Sequence, residues 1–168
     1  VFTDYLIDVT GLTRLQLSTS YLIGTLGSSL VLPRGGTYLD RHGSRVSALV
    51  ACLGLGATLC LLPAVDHVSV AVGQALGIDD GVAVAGVVLT LSFTLLRFSG
   101  QGMLTMSSRT MLTKWFERRR GLVSGIAGVF ISFGFAAAPP ILQALIDLGD
   151  WRSAWLGLGA VVGVGMTF

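Results

Sequence analysis

Residues 121–146 read GLVSGIAGVFISFGFAAAPPILQALI, a run with no charged side chain from Gly121 to Ile146. About 20 apolar residues suffice for a helix to cross the ~30 Å hydrocarbon layer of a bilayer, and this run exceeds that length. It reads as a membrane span. Its flanks agree, because Lys114, Arg118, Arg119 and Arg120 precede it and Asp147 and Asp150 follow it. The whole chain has the same character: of 168 residues, 52% are hydrophobic and 12% charged, and the mean hydropathy of +0.79 exceeds what a soluble domain needs to fill one core. Glycine, at 23 residues, is about twice its usual ~7% share. Small residues let helices approach where lipid supplies no hydrophobic drive between them, so close helix packing is expected.

Working outward, four more segments qualify as spans or parts of spans: residues 15–39, 46–63, 82–113 and 153–168. Thr13 is available to cap the first, Pro63 closes the second, and Arg97 interrupts the third. Pro139 and Pro140, near the far end of the 121–146 span, either flex that helix or terminate it. Between Ala64 and Gly81 the apolar stretch from Val68 to Ile78 would rise only ~17 Å as a helix, too little to span. A loop or surface-lying piece is expected there. The opening at Val1 and the close at Phe168 within an apolar stretch read as those of an excerpt.

The connectors alternate in charge. Arg41 and Arg45 follow the first span and Lys114 with Arg118–Arg120 follow the third. Asp4, Asp8, Asp66, Asp79, Asp80, Asp147 and Asp150 fall in the other connectors. By the positive-inside bias, residues 40–45 and 114–120 are expected in the cytosol, in an integral protein of the plasma membrane. The formal net charge of +2 is too small and dispersed for a nucleic-acid partner. Cys52 and Cys60 would lie roughly 12 Å apart on a helix, beyond disulfide reach, and read as small buried hydrophobes. No zinc spacing, cofactor motif, nucleophile–base pair or paired-carboxylate site is visible; no cofactor, metal or enzymatic activity is expected.

Arg97 is the most informative residue. A guanidinium within a span costs at least ~2.5 kcal/mol and generally faces a cavity or a partner. At 100° per residue Thr90, Thr94, Arg97, Gln101, Thr105 and Ser108 fall within about an 80° sector, a stripe narrow enough to line a water-filled face. In the first span Ser18, Tyr21, Thr25, Ser28 and Ser29 project within roughly 100° of one another. Either these hydroxyls line the cavity, where Tyr21 and Thr25 could donate to a carboxylate, or they bond their own helix. No acidic residue lies inside any span, so the counter-charge of Arg97 is a substrate anion, a carboxylate outside this stretch, or backbone carbonyls. The plain alternative is an arginine that packs or snorkels. Gly121, Gly125 and Gly128 place small residues on one face of their span. Trp115, Phe116 and Arg118–Arg120 read as an interfacial anchor.

Two motifs carry a resemblance. Gly36-Thr37-Tyr38-Leu39-Asp40-Arg41-His42-Gly43-Ser44-Arg45 is similar to the signature loop between the second and third helices of major facilitator superfamily transporters, with Ser44 in place of the first of two usual basic residues. Arg97-Phe98-Ser99-Gly100-Gln101-Gly102, continued by Lys114-Trp115-Phe116-Glu117-Arg118-Arg119-Arg120-Gly121, resembles the fourth family helix and its following loop. With Trp151-Arg152 the pattern most resembles the monocarboxylate and oxalate/formate branch. In many other branches the glutamine follows the arginine by three positions; here Gln101 follows by four.

The resemblance implies an all-α polytopic transmembrane bundle. Residues 1–168 would be a partial N-terminal six-helix half, with the end of helix one at Val1-Phe2, helices two to five, and the start of helix six. It implies a secondary transporter for a small organic anion such as a monocarboxylate, moved with protons or in exchange, by alternating access. Its partners would be an anionic substrate, the bilayer and the remaining helices of the same protein. The translocation path would include Arg97, Gln101, Thr94, Tyr21 and Thr25, and the conformational-switch loop Gly36, Asp40, Arg41, Gly43 and Arg45. The alternative is a non-transporting membrane protein, receptor-like or an assembly subunit, on the same helices.

Overall fold

The structure is a computed structural model and describes residues 3–77, 80–148 and 151–165. The expectations placed on Val1, Phe2, Ile78, Asp79, Asp150 and the close at Phe168 lie outside the described residues. Among the described residues every regular element is helical.

The first described element is helix α1, Thr3–Thr10. Gly11, in the left-handed region at φ 69°, turns the chain into α2, Arg14–Leu61. Thr13 caps α2 as expected: its hydroxyl accepts from the Gln16 amide at 3.3 Å, and Gln16 Oε1 accepts from the Thr13 amide at 2.9 Å. The two expected spans are the two arms of α2, residues 14–42 and 44–61, hinged at Gly43 (φ 80°, ψ 166°). That backbone conformation is open essentially only to glycine. Residues 40–45 are thus not a loop but two helix ends meeting at a single non-helical residue.

The α-helix of the second arm ends at Leu61, just before Pro63. The proline sits in one 3-10 turn, Leu62–Ala64, after which the chain continues as helix α3, Val65–Leu76, ended by left-handed Gly77. A proline near the start of a helical turn removes only an N–H that has no partner there, so the chain tightens without reversing. The stretch expected to form a loop or a surface-lying piece is thus a helix, packed against α4. Leu62 and Val65 bury completely with Leu6, Leu12, Leu17 and Leu89, which explains why an apolar stretch too short to span still folds.

Helix α4, Gly81–Leu96, is capped by the Asp80 carboxylate. It runs through a π-helical segment, Arg97–Leu104, into α5, Thr105–Trp115. After a 3-10 turn at Glu117–Arg119, helix α6 spans Arg120–Leu148 and α7 spans Trp151–Gly163. Three helical stretches, Arg14–Ala75, Gly81–Trp115 and Glu117–Asp147, are long and apolar enough to cross a membrane. Helix α6 continues past Pro139 and Pro140 to Leu148, so the prolines do not terminate it. Gly121, Gly125 and Gly128 have nothing within 4 Å of an added Cβ, so no close crossing uses them among the described residues.

The first arm of α2 lies parallel to the α4–π–α5 stretch. A Cβ on Gly24 would stand 2.9 Å from the Phe93 Cβ and 3.1 Å from the Thr90 oxygen, and one on Gly35 would meet the Met103 sulfur at 2.5 Å. Gly36, expected to permit close packing, meets only the Met106 methyl at 3.7 Å; its neighbour Gly35 does that work. The second arm crosses α7 at Gly56, Gly159 and Gly163. Cys52 is buried, while Cys60 is exposed, contrary to its expected burial.

Candidate functional site

Arg97 sits where the first arm of α2 faces the start of the π segment. The contact of Gly24 and Gly27 with α4 brings the two backbones close enough for the guanidinium to reach across. Its Nε donates to the Thr25 hydroxyl at 3.3 Å, one Nη donates to Gln101 Oε1, and its carbon lies 4.8 Å from the centre of the Tyr21 ring. Phe93 holds that ring edge-on at 5.5 Å. Two of the five guanidinium N–H donors are engaged, and no carboxylate pairs with Arg97 among the described residues. Beside it opens a cleft of about 290 Å³ lined by Thr25, Ser28, Ser29, Leu32, Gln101 and Gly102 as well as Arg97.

The structure thus gathers Arg97, Gln101, Tyr21 and Thr25. Thr94, the fifth residue of the expected path, turns to the helix interface, where its side chain is 3.4 Å from an added Cβ on Gly27 and its hydroxyl bonds the Thr90 carbonyl at 2.8 Å. Ser28 and Ser29 donate to the Thr25 carbonyl and Thr25 to that of Tyr21, so the hydroxyls bond their own helix while leaving acceptor lone pairs toward the cleft. The stripe does not continue into Thr105 and Ser108, which are not among the residues lining the cleft. Its uniform 100° step fails at the π segment, whose wider i→i+5 turns change the register. The same segment carries the four-position spacing from Arg97 to Gln101.

At the basic end, Gly43 supplies the expected tight turn. Asp40, Arg41 and Arg45 are exposed, with no ion-pair partner among the described residues. His42 stacks on Tyr38 at 4.2 Å. The two basic segments come together: Gly43, Ser44 and Arg45 share a cleft with Lys114, Trp115 and Phe116. Asp66 and Asp80 lie at the opposite end, near the start of α2 and α4.

A sequence model of the Major Facilitator Superfamily matches residues 1–168. The chain belongs to the major facilitator superfamily. Members of the superfamily are membrane transporters, and the apolar helices make this chain an integral membrane protein. It is 26% identical over 156 residues to an "Uncharacterized 38 kDa protein in 23S RNA operon" of Thermoproteus tenax, covering 90% of this chain and 35% of that relative. The chain spans about a third of the relative's length. No solved structure matches it.

In this major facilitator chain the structure also shows contacts that residue patterns could not reveal. Arg152 donates to Asp66 Oδ2 at 2.8 Å and lies 5.4 Å from the Trp151 ring, tying α3 to α7 across 86 positions of sequence. Asp4 and Arg14 pair at 2.6 Å on the exposed surface. The acidic end was legible as a charge pattern, but nothing in one sequence assigns Asp66 to Arg152.

Proposed function

We propose that the intact protein is a secondary active transporter that moves a small organic anion, a monocarboxylate being the candidate, by alternating access around Arg97. The observation that carries this reading is a guanidinium within a span whose ligands, Thr25, Gln101 and the Tyr21 ring, are all neutral. A low-dielectric site with an unpaired cation favours a ligand that brings the missing negative charge. Carboxylate oxygens match the guanidinium fork, and the polar cleft beside it has room for a small acid. The resemblance of the 97–102 and 114–121 motifs to the monocarboxylate and oxalate/formate branch points the same way. In this reading residues 1–168 form most of the N-terminal half. Gly36, Asp40, Arg41, Gly43 and Arg45 form the switch region at its cytosolic end, in the plasma membrane.

The test is uptake of labelled lactate, oxalate or formate into vesicles bearing the full-length protein, with glucose and choline as neutral and cationic controls. Uptake of at least one anion is expected, falling at least about tenfold in Arg97→Ala, because a hydrogen bond to a charged group contributes ~1.5–3 kcal/mol. Full anion uptake by Arg97→Ala removes the site assignment. Uptake of only the neutral or cationic solute removes the substrate class, and uptake of none favours a non-transporting protein.

A further inference from the structure

We infer that the basic end of the bundle holds a binding site for an anionic glycerophospholipid, in the cleft between the Gly43 hinge and the end of α5. The cleft has a volume of about 600 Å³, within the ~300–1,000 Å³ of pockets that hold small ligands. Two cations, Arg45 on α2 and Lys114 on α5, line it, with His42, Gly43 and Ser44 beside Arg45 and the apolar row Met111, Leu112, Trp115 and Phe116 completing the wall. No carboxylate lines it. Neither cation has an ion-pair partner among the described residues: Glu117, the acid nearest Lys114 in sequence, faces Arg120 at 3.9 Å, and Asp40, the acid nearest Arg45, is exposed and does not line the cleft.

Position decides between a lipid and a free anion. The cleft lies at the end of two helical stretches long and apolar enough to cross a bilayer, the end at which such a helix meets the headgroups, and Trp115, 79% exposed, has the amphipathic ring that favours this boundary. A free phosphate would use the two cations and leave four apolar side chains facing water. A phospholipid uses both: its phosphodiester bridges Arg45 and Lys114 while the glycerol and first acyl carbons cover Met111, Leu112 and Phe116. The hinge makes the arrangement possible, because only the sharp break at Gly43 returns Arg45 to the side of α5. The site is independent of the transport reading and needs no role for Arg97.

Native mass spectrometry of the delipidated full-length protein, titrated with palmitoyl-oleoyl phosphatidylglycerol or phosphatidylcholine, tests it. The wild type is expected to retain phosphatidylglycerol at lower concentration than phosphatidylcholine. Arg45→Gln with Lys114→Gln is expected to weaken phosphatidylglycerol about 30-fold, from the loss of two headgroup cations. Arg118→Gln with Arg119→Gln removes equal charge from the adjoining cleft, which shares Lys114, Trp115 and Phe116, and is expected to weaken binding by less than about fivefold. Equal retention of the two lipids by the wild type overturns the site whatever the variants do, as it would if another part of the protein covered the cleft. An equal loss in both double variants, or displacement of the lipid by glycerol 3-phosphate at matching concentration, overturns it too.

Discussion

A charged or polar side chain between apolar helices is tolerated in proportion to the acceptors and donors it finds. Arg97 finds an aromatic face and two neutral oxygens, so its charge is solvated locally but not cancelled. Ser47 shows the opposite case. Its side chain is fully buried, and its hydroxyl has no hydrogen-bond partner among the described residues. Most other hydroxyls on these helices return to a carbonyl one turn back, as Thr58 does to Gly54 at 2.7 Å. An unsatisfied buried hydroxyl costs ~1–3 kcal/mol, so Ser47→Ala is expected to leave the full-length protein as stable or to stabilise it by about 1 kcal/mol. Thermal unfolding in detergent measures this, and a loss beyond about 1 kcal/mol would mean that the hydroxyl has a partner in the intact protein. The Arg97 group was largely legible in the sequence: a charge in a span, a glutamine one turn on, and Tyr21 with Thr25 on a facing stripe. Thr94 shares the Arg97 stripe yet turns to the helix interface, because periodicity places a side chain on a face without saying which neighbour covers it.

At the scale of elements, glycine and proline act by position. The Gly24 and Gly56 approaches are backbone to backbone or nearly so: an added Cβ at Gly56 falls 2.7 Å from the Gly163 Cα, which no rotamer change can relieve. Gly24→Ala and Gly56→Ala are each expected to lower stability by about 1–3 kcal/mol, the usual cost of forcing extra atoms into a tight contact. Gly125→Ala, with open space around it in helix α6, is expected to change stability by less than about 1 kcal/mol and to gain from helix propensity. Unfolding of the purified full-length variants compares the three. A large loss at Gly125 would show that another helix of the intact protein crosses there. Pro139 and Pro140 lie inside α6 and do not terminate it, and after the 3-10 turn that holds Pro63 helical structure resumes in α3. A lost N–H ends a helix only where nothing else holds the following turn. After Pro63 the burial of Leu62 and Val65 holds it.

For the molecule as a whole, the parallel run of the first arm of α2 beside the α4–α5 stretch gathers Gly43–Arg45 and Lys114–Phe116 at one end, and Asp66, Asp80 and Arg152 lie at the other. Single cysteines at His42 and Glu117, in a variant freed of Cys52 and Cys60, are expected to react with an impermeant maleimide only from the cytosolic side of intact cells. A cysteine at Asp80 is expected to react only from outside. Labelling of positions 42 and 117 from opposite sides contradicts the fold; labelling of both from outside reverses the orientation alone. What the sequence determined by itself was the solvent of each segment and the alternation of its ends, because hydrophobic length and charge act locally and survive any arrangement of neighbours. The hinge confined to Gly43, the helix at 65–76, the π segment beneath Arg97 and the pairing of Asp66 with Arg152 were decided only in three dimensions. Each depends on which surface packs opposite, and that surface comes from residues tens of positions away.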